Sequence, residues 1–131
     1  DMSSLEFRSP SKIRTVISAD FDNDGYDEIF LNNIDQPNRL FRILEEGNLK
    51  EIKLDEALEE QGLGTGAAVA DIDGDGILEL LISHGESGAQ PLSLFKANIS
   101  NRNYIRIKPL NKFGAPARGA TVILNTNLIH K

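Results

Sequence analysis

Asp20, Asp22, Asp24 and Glu28 occupy positions 1, 3, 5 and 9 of the stretch DFDNDGYDE, and Asp71, Asp73, Asp75 and Glu79 occupy the same positions of DIDGDGILE, 51 residues later. Carboxylates at alternate positions of a turn direct hard oxygen donors toward one centre. Gly25 and Gly76 at position 6 permit the sharp bend this needs, and Asn23 and Gly74 at position 4 suit a positive φ. The cation that fits is calcium, which takes six to eight oxygens at about 2.3–2.6 Å in flexible geometry. Tyr26 and Ile77 at position 7 would add a backbone carbonyl to each set. Magnesium fits less well, because it demands a strict octahedron and keeps most of its waters. Two Ca2+ sites are therefore expected, one per loop. No Lys or Arg occurs from Thr15 to Asn38 or from Leu54 to Phe95, so whatever neutralises these loops comes from outside them.

Other chemistries for the same residues meet specific obstacles. An EF-hand closes with Glu at position 12 between two helices, whereas counting from Asp20 and Asp71 reaches Leu31 and Ile82 in strand-like segments. A haloacid-dehalogenase-like phosphohydrolase, with Asp71 as nucleophile and Asp73 as acid/base with Mg, is the enzymatic alternative. It requires a parallel sheet and leaves the second acidic loop without a purpose. The glycine run GLGTG, 62–66, precedes a strand and lacks the Lys-Ser/Thr of a phosphate loop, so it reads as a linker. His84 in SHGES, beside Glu86 and Ser87, reads as a hydrogen-bonded turn residue. His130 has no role legible from its surroundings.

The elements that must position the loops are short strands. IRTVISA, EIFLNN, RLFRIL and LKEIKL are rich in β-branched and aromatic residues and are separated by DNDG, DQPN and EEGN, the signature of four consecutive antiparallel strands. LDEALEEQG, 54–62, is expected to form a short helix, with Asp55 as its cap and Gly62 as its stop. The cycle then restarts with GAAVA, ELLIS and PLSLFKA. NYIRIKPL and GATVILNTNL are expected to form a further small β segment. The fold class is thus all-β, built of propeller-type blades of four antiparallel strands, about two of them, plus a small C-terminal β segment. The division is an extension at 1–12, one repeat at 13–62, a second at 63–97, and a distinct segment at 98–131.

Composition limits the functional classes. The chain has 131 residues, 40% hydrophobic and 26% charged, with no cysteine. Thiolate catalysis, disulfides and cysteine-ligated zinc are excluded, and no apolar run reaches the eighteen residues of a membrane helix. Residues 1–86 hold all twenty acidic side chains and seven basic ones, whereas residues 87–131 hold seven basic side chains and no acid. The basic stretch with Arg102, Arg106, Lys108, Lys112 and Arg118 offers itself to an anionic glycan, or to the acidic loops of the same molecule. Few aromatics and a net charge of −6 argue against nucleic acid.

The loops resemble the FG-GAP or VCBS-type repeats of integrin-like β-propellers. The run GTGAAVADIDGDGILELLISHGESGAQPLSLFKAN, followed by NYIRIKPLNKFGAPARGATVIL, resembles the cartilage acidic protein family, whose propeller is followed by an ASPIC/UnbV domain. That resemblance implies an extracellular or secreted calcium-binding module that acts in adhesion through protein or matrix contacts, without catalysis. It places metal ligands at Asp20, Asp22, Asp24, Glu28, Asp71, Asp73, Asp75 and Glu79, and an ASPIC/UnbV-like character at 98–131. Separately, NIS at Asn98 is a glycosylation sequon, which matters only in a eukaryotic secretory route. Two blades cannot close a ring of six or seven, so further blades or self-association are expected to cover the strand edges.

Overall fold

The computed structural model describes residues 4–44, 47–86, 88–99 and 104–125. Seven strands follow in order: β1 Ile13–Ala19, β2 Glu28–Asn33, β3 Arg39–Ile43, β4 Leu49–Ile52, β5 Gly64–Ala70, β6 Glu79–His84 and β7 Ser93–Lys96. They form two antiparallel meanders, β1-β2-β3-β4 and β5-β6-β7, which matches the expected all-β blades. The duplication extends to detail. Ala19 pairs with Glu28 and Ala70 with Glu79, and the ladder slips at Ile13/Thr15 in one hairpin and at Gly64/Gly66 in the other.

The two sheets pack against each other through one shared core. Ile17, Phe30, Leu40 and Ile52 are register partners on one face of the first sheet. They meet Val69, Leu80 and Phe95 of the second sheet in a core centred on Phe30, Leu40, Leu80 and Ile82. Leu80 and Phe95 correspond in the repeat to Ile29 and Phe41, which lie on the opposite face of the first sheet. Each sheet therefore offers a different row to the junction. Phe41 is instead covered by Phe7, in an edge-on ring contact at 5.0 Å, and by the Arg39 guanidinium. Leu81 and Leu94, the counterparts of Phe30 and Leu40, remain exposed.

Two expectations are corrected. Residues 54–62 form only a 3-10 turn at Glu56–Leu58; Asp55 makes no side-chain cap, and Glu59 ends the turn at φ 44°. Eleven residues, 53–63, link β4 to β5, and Glu59 in the left-handed region stops the turn from continuing as a helix. Residues 104–125 contain no strand, only a bridge between Leu110 and Pro116. Ile105, Ile107, Val122, Ile123 and Leu124 are exposed there. Their β-branched composition supplies propensity, but a strand also needs a partner edge. The second sheet has the three strands expected from GAAVA, ELLIS and PLSLFKA.

The GLGTG run does connect the blades. A Cβ at Gly64 would run into the Asn32 side chain and the Asn33 carbonyl, so glycine lets β5 approach β2 closely. Next to it the junction is polar. His84 Nδ1 lies 2.7 Å from the Pro91 carbonyl oxygen and Nε2 lies 2.9 Å from the Glu59 carboxylate. With acceptors on both sides, the imidazolium form satisfies both ring nitrogens. Glu59 also accepts from Asn38 Nδ2 at 3.2 Å, so one carboxylate joins the turn before β3 to the end of β6. Ser87 and His130 lie outside the described residues.

Burial works against a charge on His84, but the Glu59 carboxylate and the Pro91 carbonyl outweigh it and raise its pKa above the ordinary 6.5. A raised folded pKa contributes stability that is fully present below 6.5 and is lost as pH rises through the folded value. Melting the wild type and His84→Gln side by side across about pH 5 to 8 should show the wild type's advantage shrinking toward alkaline pH. An advantage that stays constant would remove protonation from the junction.

Candidate metal centre

Each acidic loop connects the first two strands of its blade, and the strand ladder fixes where its ends lie. Ala19 opposite Glu28 and Ala70 opposite Glu79 bring loop positions 1 and 9 side by side. Between them the backbone turns through positive φ at Asn23 (56°) and Gly25 (96°), and at Gly74 (82°) and Gly76 (87°), which are the positions at which the sequence permits it.

Backbone N–H groups then aim the carboxylates. Asp20 Oδ1 accepts from Asp24 N and Oδ2 from Gly25 N, at 3.0 and 2.9 Å. Asp71 accepts from Gly74 N and Gly76 N at 2.8 and 3.2 Å. Glu28 Oε2 reaches back to Phe21 N at 3.1 Å, and Glu79 Oε2 to Ile72 N at 2.7 Å. Both glutamates are buried, at 1% and 5% exposure.

Two groups of three emerge. Asp20, Asp22 and Glu28 bring carboxylate oxygens within 4.8 Å of one another, and Asp71, Asp73 and Glu79 do the same. Asp24 and Asp75 stay outside these trios. Their Oδ1 atoms accept from Tyr26 N and Ile77 N at 2.9 and 3.0 Å, which shapes the turn. Tyr26 and Ile77 are thus tied into the loop through their N–H groups.

Oxygens that share one calcium at about 2.3–2.6 Å lie at most about 5 Å apart, so both trios are of the right size. Asp22 Oδ1 adds a second indication of fit, since it is buried and has no hydrogen-bond partner.

Cations absent from the sequence reading also reach the trios. Arg42 on β3 pairs with Asp22 and, through Nε at 3.3 Å, with Glu28. Lys96 on β7 lies 2.7, 2.7 and 2.8 Å from Asp73, Asp75 and Glu79. These are equivalent positions, since Arg42 pairs in register with Glu28 and Lys96 with Glu79. The repeated Leu-Phe-Arg and Leu-Phe-Lys in RLFRIL and PLSLFKA is the signal that reveals them. Arg106 also pairs with Asp71, so one basic residue considered for an anionic partner is turned onto the acidic loop. Arg102, considered with it, lies outside the described residues.

The charges respond to these neighbours. Burial, reinforced by Asp22, raises the Glu28 carboxyl above its ordinary value against the opposing Phe21 N–H and Arg42. Asp73, Asp75 and Glu79 raise Lys96 well above an ordinary lysine. Both sheets are antiparallel, which is not the parallel sheet that the phosphohydrolase alternative requires.

Residues 20–82, which include both loops, match the FG-GAP-like repeat. Cartilage acidic protein 1 of Homo sapiens is 52% identical over 135 residues, covering 96% of this chain. Proteins of the same name from Mus musculus and Xenopus tropicalis are 50% and 49% identical over the same share. The chain spans about a fifth of the length of these relatives, 20% to 21%.

The buried Glu28 carboxylate pairs with the Arg42 guanidinium. Arg42→Met should therefore destabilise the protein in chelator by about 1–3 kcal/mol, read by urea unfolding, with partial recovery in Arg42→Lys. An unchanged midpoint in both variants would show that Arg42 does not offset the buried charge.

Proposed function

Because this chain is homologous to a segment of cartilage acidic protein 1 and carries the FG-GAP-like repeat, we propose that it is a calcium-stabilised extracellular repeat module. It acts through protein or matrix contacts and not through catalysis. The observation that carries this reading is the duplicated trio, in which Asp20, Asp22 and Glu28 converge in the first loop of one blade as Asp71, Asp73 and Glu79 do in the equivalent loop of the next. Tyr26 and Ile77 would complete each set with a carbonyl, and Asp24 and Asp75 would join by a change of rotamer. A bound ion would neutralise the repulsion within each trio and, by binding only the folded loop, would stabilise the blade by mass action. The extracellular setting is supported by the relatives' name, which refers to cartilage.

A second reading has a specific observation behind it. Arg42 and Lys96 already supply positive charge to the two trios, so the loops would stand as ion-paired turns that need no metal. The readings differ in what Lys96 does. As a competitor for the ligands, its removal tightens calcium binding; as the resident counter-charge, its removal only destabilises.

Thermal melts in EDTA, millimolar calcium and millimolar magnesium should show a rise of several degrees in calcium alone. Asp73→Ala should lose most of that rise while melting close to the wild type in EDTA, and Lys96→Met should respond to lower calcium than the wild type does. Equal melting in all three buffers, with Lys96→Met merely less stable, would favour the ion-paired reading.

A further inference from the structure

The two loops differ in one respect that the repeat does not explain. Asp20 is partnered by backbone N–H groups of its own loop, whereas Asp71 also holds Arg106, 35 residues further on. Beside that pair, the Tyr104 hydroxyl donates to the Gly74 carbonyl oxygen at 2.9 Å. Its ring occupies the space where a Cβ of Gly76 would lie. Tyr104 and Arg106 thus seat the segment that follows β7 directly on the second acidic loop. Asp20, Asp71, Tyr104 and Arg106 line one cavity between the two loops.

This contact shares its carboxylate with the candidate ion site. Asp71 belongs to the trio that would hold calcium, and a guanidinium and a divalent cation on the same carboxylate repel each other. The Arg106 side chain is more than half exposed, at 59%, and an exposed ion pair is weak enough to yield to a multidentate ion.

Resting on the calcium reading of the loops, we propose that Tyr104 and Arg106 form an ion-displaced latch. Without calcium they hold the C-terminal basic segment against the second loop. Calcium taken up by Asp71, Asp73 and Glu79 expels Arg106 and frees that segment, so the second site binds calcium more weakly than its ligands alone would dictate.

The test uses the chain's own fluorophores, because it has no Trp and two Tyr, Tyr26 and Tyr104. Tyr26→Phe leaves Tyr104 as the sole reporter in the 131-residue chain. Calcium should lower Tyr104 fluorescence anisotropy, and Asp73→Asn in that background should abolish the change. Arg106→Gln should tighten the second site about two- to fivefold by calorimetry. Calcium binding with unchanged anisotropy and an unchanged constant in Arg106→Gln overturns the latch alone. No calcium binding by calorimetry in any variant overturns the calcium reading and the latch with it.

Discussion

Carboxylates held within 4.8 Å of one another repel, and the design of both blades answers that repulsion. The loops cannot spread to relieve it, because the ladder clamps their ends: Ala19 faces Glu28 and Ala70 faces Glu79. What remains is compensation. Backbone N–H groups of Phe21, Gly25, Ile72 and Gly76 point at the acidic oxygens, and a basic residue from the third strand of each sheet closes in from the side. A divalent ion would be a stronger form of the same compensation, since one centre could contact all three carboxylates.

The repeat governs packing as well as charge. The Phe30 row of the first sheet meets the Leu80 row of the second, so successive blades turn opposite faces, and different repeat positions, toward the junction. The polar rim at His84, Glu59 and Asn38 fixes the relative placement of the sheets where the apolar core ends. Asn32 is fully buried there, and neither side-chain polar atom has a hydrogen-bond partner.

Much of this was legible in the residues. The acidic positions, the positive-φ sites at Asn23 and Gly74 and the seven strands follow from spacing and turn chemistry, because they are local properties. The cations were not, since Arg42 and Lys96 enter through cross-strand register, 14 and 17 residues beyond the glutamates they face. Residues 54–62 look helical by composition, but Glu59 at φ 44° interrupts them after a single 3-10 turn. Residues 104–125 have strand composition and no strand, because propensity cannot provide a neighbouring edge. His84 was legible as a hydrogen-bonded residue, and its partner Glu59, 25 residues earlier, was not.

Among the described residues, every ladder joins strands that are adjacent along the chain. The meander order therefore keeps the sequence separation of sheet contacts short, which is the topology that lowers the entropic barrier to β-sheet formation. Each hairpin can assemble as soon as its own residues are synthesised, without waiting for a distant segment. The first blade can then serve as the apolar surface on which Val69, Leu80 and Phe95 settle when the second emerges.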